Sequence, residues 1–82
     1  MNAEEIKKKI SVFLLEKIPN QGLELKDDTD LLNEWFLDSL GIINTIMFLE
    51  MEFSISVARS EINGDNFTNL NTLSEYIISK SK

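Results

Sequence analysis

Asp38-Ser39-Leu40 opens an apolar run that continues to Phe53, and these residue types in this order point to one kind of chemistry. Aspartate is a favoured N-cap. With Asp38 at the cap, Ser39 falls on the first turn of a helix, where backbone N–H groups lack intrahelical acceptors. The serine hydroxyl is then presented at a helix end, within reach of another protein. A phosphate esterified to it would meet amide donors and the positive end of the helix dipole. The site suits a phosphoserine-type linkage.

Other chemistry has little to draw on. The chain contains no histidine, which removes a Ser-His hydrolase and the usual zinc sites. It contains no cysteine either, so it has no disulfide framework and no thiol of its own on which to hold a thioester. Asp27, Asp28 and Asp30 invite a calcium reading, but an EF-hand loop from Asp28 needs glycine where Asn33 stands and glutamate where Ser39 stands. The aspartates are assigned instead to turn and capping chemistry ahead of Leu31 and Leu32. Asn66-Phe67-Thr68 has the form of a glycosylation sequon, which carries no weight without a secretory signal.

The elements that must position Ser39 are helical. Asn2 and Glu5 have capping-box spacing, and Ile6, Ile10, Phe13, Leu14 and Ile18 recur at helical spacing as far as Pro19. A first helix is expected over about Ala3 to Ile18. Some twenty residues without strong periodicity follow, opened by a turn at Pro19, Asn20 and Gly22. Leu23, Leu25, Leu31, Leu32, Trp35, Phe36 and Leu37 are available to pin this loop across the bundle. The second helix starts at Asp38. Residues 54–68 read as a connection with one short helical turn, anchored by Ile62 and Phe67. Thr72 and Glu75 repeat the capping-box pattern, and Leu73, Tyr76, Ile77 and Ile78 give a last helix over Leu73 to Ser79, followed by a frayed end. Lys7, Lys8 and Lys9 read as a solvated face. The expected fold is all-α, a small bundle of three main helices and one short one, forming a single domain over residues 1–82.

Four blocks carry a family resemblance: Asp27-Asp28-Thr29-Asp30-Leu31-Leu32, Asp38-Ser39-Leu40, Phe48-Leu49-Glu50-Met51-Glu52-Phe53, and Asn66-Phe67 followed by Thr72-Leu73-Ser74-Glu75-Tyr76-Ile77. The tripeptide alone turns up by chance in roughly a few per cent of chains this long. Order and spacing of the flanking blocks make the match specific, and with the first helix it covers nearly the whole chain. The sequence resembles the acyl and peptidyl carrier proteins. That resemblance implies a 4′-phosphopantetheine arm, drawn from coenzyme A, on Ser39, with Asp38 assisting a phosphopantetheinyl transferase and its magnesium ion. It also implies a non-catalytic protein that carries acyl or aminoacyl thioesters. The partners implied are an acyl- or amino-acid-activating ligase and downstream acyl-transferring enzymes.

Drawn at roughly 100° per residue, the second helix bears two apolar stripes. Ile42, Ile46, Leu49 and Phe53 share one side, and Leu40, Ile43, Met47 and Met51 fall nearly opposite. So small a bundle cannot cover both, and the second stripe is expected to meet a partner or the cargo. By resemblance, Leu40, Ile43 and Met47 match positions that partner enzymes touch, and methionine adapts to several surfaces. Gly41 and Asn44 stand where fatty-acid carriers commonly bear acids, so the chain looks more like the stand-alone carriers of amino-acid-activating or specialised pathways. Trp35 replaces a glycine common before the motif and either shapes the surface beside the arm or anchors the core. From another class, the alternative is an unmodified helical adaptor that binds a protein through the Leu40, Ile43 and Met47 stripe.

Net charge is −6, with a sequence pI near 4.5. That balance opposes nucleic acid and anionic lipid and favours partners with basic patches. The N-terminal residues lack the basic start and apolar core of a signal peptide. A cytoplasmic monomer is the expected state.

Overall fold

A computed structural model describes residues 2–18, 24–35 and 39–81. Its elements are α1 (Ala3–Lys17), α2 (Ser39–Phe53), α3 (Gly64–Phe67) and α4 (Leu70–Ser81), with a π-helical turn over Leu31–Trp35 and a 3-10 turn over Arg59–Glu61. No strand occurs among the described residues. The all-α bundle of three long helices expected from the sequence is the fold observed. Pro19, Asn20, Gly22, Leu23, Phe36, Leu37 and Asp38, to which the sequence assigns turn, anchor and cap roles, lie outside the described residues.

Asn2 caps α1 as its spacing predicts: its Oδ1 accepts from the Glu5 amide at 2.9 Å. The helix closes at Ile18, whose N–H donates to the Leu14 carbonyl. Ile6, Ile10 and Leu14 recur at four-residue steps, so they lie one above the other on the buried face. α1 packs chiefly along α4, which presents Leu70, Leu73, Tyr76 and Ile77 to the same core.

The long loop is pinned as its apolar residues imply. Leu31 is fully buried and Trp35 is 1% exposed, and the Trp35 indole N–H donates to the Ile18 carbonyl at 2.8 Å. Of the two roles open to Trp35, core anchor is the one realised. Asp30 caps the π-helical turn, accepting from both the backbone and the side-chain amide of Asn33, and these bonds hold its carboxyl below the ordinary value, the side-chain amide most of all. Leu31 N–H donates to the Thr68 carbonyl, and Asn71 N–H to that of Asp27. The loop is thereby tied to the start of α4.

Four expectations need correction. α4 begins at Leu70, because Asn69 rather than Thr72 is the cap: the Thr72 amide donates to Asn69 Oδ1, and the Asn69 amide to Thr72 Oγ1. The far end is helical to Ser81 instead of frayed from Ser79, held by the Ser81 hydroxyl on the Ile77 carbonyl and by the Lys80–Glu61 ion pair at 3.0 Å. The connection after α2 holds two short turns where one was expected, since both Glu61 and Asn63 cap locally. The lysine run is not uniformly solvated. Lys7 is only 12% exposed along its side chain and pairs with Glu4 and Asp27, and its ammonium also donates to Asn71 Oδ1. Asp27 first and Glu4 second raise its pKa.

Glu61 organises the segment between α2 and α4. Its Oε1 accepts from the Ala58 amide, the Tyr76 hydroxyl and the Lys80 ammonium, each at 3.0 Å. The Ala58 amide and then Lys80 hold this carboxyl below the ordinary glutamate value of 4.5, while burial and Glu61 push Tyr76 up to about 12. A carboxyl whose folded-state pKa is depressed binds fewer protons folded than unfolded, so its contribution is complete above the unfolded value and is lost as pH falls through the folded one. The thermal midpoint is therefore expected to drop more steeply below about pH 4.5 in the parent than in Glu61→Gln. Parallel slopes in circular-dichroism melts between neutral and acid pH would show that Glu61 does not set the acid limb.

Candidate functional site

Ser39 is the first residue of α2, and it is exposed. The first helical turn carries no acidic side chain, so nothing on it repels an anion at the amide end of a fifteen-residue helix. Asp38, the expected cap and assisting residue, lies outside the described residues. The fit to a phosphodiester on Ser39 thus rests on an accessible hydroxyl at the positive end of a long helix.

Below Ser39 the two faces of α2 divide much as the stripes predict, with one difference. Leu40, Ile43, Met47 and Met51 are 62, 52, 56 and 82% exposed, a continuous apolar stripe that the described residues leave open. On the opposite side Leu49 and Phe53 are buried, but Ile42 and Ile46 are only half-buried. The positions closest to the core in the upper half of the helix are Gly41 and Thr45. Thr45 satisfies its buried hydroxyl by donating to the Gly41 carbonyl at 2.8 Å. Ile42 and Ile46, each next in sequence to one of these two, lie to the flank and are half-buried. Hydropathy alone does not see this, because glycine and threonine are weak signals in an apolar stripe. At the foot of α2, Ser54 adopts φ 54, a left-handed conformation that ends the helix. Glu50 then accepts from the Val57 amide and fixes the departing chain.

A groove between α1 and α2 was not foreseen. Phe13 stacks on Phe48 with ring centroids 4.2 Å apart, and Lys9 pairs with Glu52 at 3.6 Å. These pairs step four residues in opposite senses along the two helices, so the helices are antiparallel. Val12 and Leu15 of α1 are 47 and 55% exposed, off the buried stripe of their own helix. The signal in the sequence was the presence of apolar residues between Ile10 and Ile18 beyond those the core face needs.

The structure is thus a small helical fold with an exposed serine at the head of its second long helix. A family model described as phosphopantetheine attachment site matches residues 12–77, a stretch that includes Ser39. The chain belongs to that family, in keeping with an acyl or peptidyl carrier protein, and the family's group is covalent 4′-phosphopantetheine. When attached, that group supplies a terminal thiol on which an acyl chain is carried as a thioester.

Proposed function

We propose that Ser39 is the attachment residue, and that the chain works as a single carrier domain holding a small carboxylic acyl or aminoacyl group for partner enzymes. The observation that carries this reading is the exposed Ser39 hydroxyl at the head of α2 in a chain of this family. Ser11, by contrast, lies inside α1 and donates to the Lys8 carbonyl, and Ser74 is buried and donates to the Asn71 carbonyl. Neither offers a free helix start.

In this reading Asp38 assists the transferase, and Leu40, Ile43 and Met47 form the face that partners touch. The protein contributes no catalysis of its own. Its work is tethering, which raises the effective concentration of cargo at each partner. Partners with basic patches are favoured by the charge of −6. Among the described residues no helix is long and apolar enough to cross a membrane, and a cytoplasmic monomer remains the proposed state.

Loading is assigned to an adenylating ligase in preference to fatty-acid enzymes. Gly41 and Asn44 are uncharged, so neither supplies the acidic docking charge common on α2 of fatty-acid carriers. The armed protein, offered a panel of ligases with amino and carboxylic acids alongside fatty-acid-synthase enzymes at matched salt, is expected to take cargo only from a ligase. Efficient malonyl loading and elongation, with no ligase-dependent loading, would return the chain to the fatty-acid branch. The adaptor reading is supported by the same exposed stripe. Intact mass after incubation with coenzyme A and a broad-specificity transferase separates the two, since an adaptor gains nothing.

A further inference from the structure

We infer that Met47 and Met51 form a paired oxidation site on α2, where a hydroperoxide converts the two thioethers to sulfoxides and withdraws the docking face from partners while the fold stays intact. The inference rests on the reading of Leu40, Ile43 and Met47 as the face that partners touch, and adds a means of turning that face off.

The placement of sulfur carries the inference. The chain has three methionines and no cysteine. Met47 and Met51 are 56 and 82% exposed, whereas among the described residues the buried core and the partly buried apolar side chains packed against it contain no methionine. Oxidation of a core methionine disrupts packing, but here it changes a surface and spares the core. Met47 and Met51 stand four residues apart, so they share one face of α2, about 6 Å apart along its axis. They continue the exposed line of Leu40 and Ile43, whose hydrocarbon side chains are inert to peroxide. Both also border the α1–α2 groove, which leaves a small oxidant an open approach. Trp35, the one tryptophan, is 1% exposed and shielded from it.

The reaction is a two-electron oxygen transfer. A lone pair on the thioether sulfur attacks one peroxide oxygen, the O–O bond breaks, and hydroxide departs. The hydroxysulfonium then gives its proton to that hydroxide, so one sulfoxide and one water form from each hydrogen peroxide. Sulfur loses two electrons and the peroxide gains them. A flexible apolar side chain has become a polar one that only accepts hydrogen bonds. In water the new oxygen is hydrated. Against an apolar partner surface it loses that hydration without a donor, which is unfavourable. The adaptability that suits a bare methionine to several partners is lost at the same time.

The test uses the full chain before arm attachment, so that no thiol competes for the oxidant. The parent, Met47→Leu, Met51→Leu and the double variant are each treated with hydrogen peroxide, and fragment mass spectra assign every added oxygen to its residue. Arm attachment by a broad-specificity transferase is then measured, each protein against itself before treatment. In the parent, oxygen is expected at Met51 first and Met47 second, following their exposure. The Km for the oxidised chain is expected to rise by about tenfold, with kcat and the thermal melt retained. The double variant is expected to show no change on treatment, and a pair of methionine sulfoxide reductases, one for each epimer, to restore the oxidised parent. Unchanged attachment kinetics in a chain oxidised at both residues overturn the inference, as does an equal loss in the double variant or a collapsed melt. Failure of the untreated parent to gain the arm overturns the carrier reading and the inference with it.

Discussion

Ser39→Ala is expected to fold like the parent and to take no arm at all. The residue is exposed at the first position of α2, and losing an exposed hydroxyl there costs no more than about 0.5 kcal/mol. The effect on attachment should nevertheless be complete, because the phosphodiester needs an oxygen nucleophile and alanine has none. Incubation with coenzyme A and transferase, read by intact mass beside a thermal melt, separates loss of the nucleophile from loss of structure. If the variant still gains one phosphopantetheinyl group, the arm sits elsewhere and the assignment fails. Ser39→Thr is the informative companion. It keeps a hydroxyl at the same place but crowds it with a methyl group, so slow, incomplete loading is expected.

Leu49→Glu should unfold the domain, whereas Met47→Glu should leave its stability within about 0.5 kcal/mol of the parent. The two residues sit two positions apart on α2, one fully buried and the other 56% exposed. Truncating a buried leucine to alanine already costs about 2–5 kcal/mol, and glutamate adds a buried charge with no partner. An 82-residue domain holds only about 4–12 kcal/mol at typical stability per residue. Leu49→Glu thus removes most or all of it. Ile46→Glu, which the hydrophobic stripe alone would place with Leu49, is expected to be milder. Ile46 is half-buried beside Thr45, and a longer side chain there can carry its charge to water. Trp35 fluorescence follows unfolding, since the indole is buried against Ile18. Equal midpoints for Leu49→Glu and Met47→Glu would mean that the faces of α2 are misassigned. Met47→Glu is also expected to slow transfer to partners, a loss with no counterpart in its melt.

The sequence by itself determined the features whose causes are local. Capping at Asn2 depends on residues three apart, and the core stripe of α1 on four-residue spacing, so both were legible. So was the exposure of Leu40, Ile43, Met47 and Met51, because an apolar stripe opposite the core of a small bundle has nothing to cover it. The position of Ser39 at the head of α2 followed from the composition of the run after it. The features left to the tertiary structure depend on which surfaces meet. Gly41 and Thr45 are the buried positions in the upper half of α2, which no hydropathy pattern encodes. Asn69 became the cap of α4 because the carbonyls of Asp27 and Thr68 take the Asn71 and Leu31 amides and hold that end against the long loop. Lys7 left solvent because Asp27 and Asn71, distant in sequence, come together around its ammonium. The α1–α2 groove exists because two helices that are each locally complete pack antiparallel and leave Val12, Met47 and Met51 bordering one open space. Spacing along one helix fixes which side chains share a face, but only packing decides which faces close on each other and which stay open.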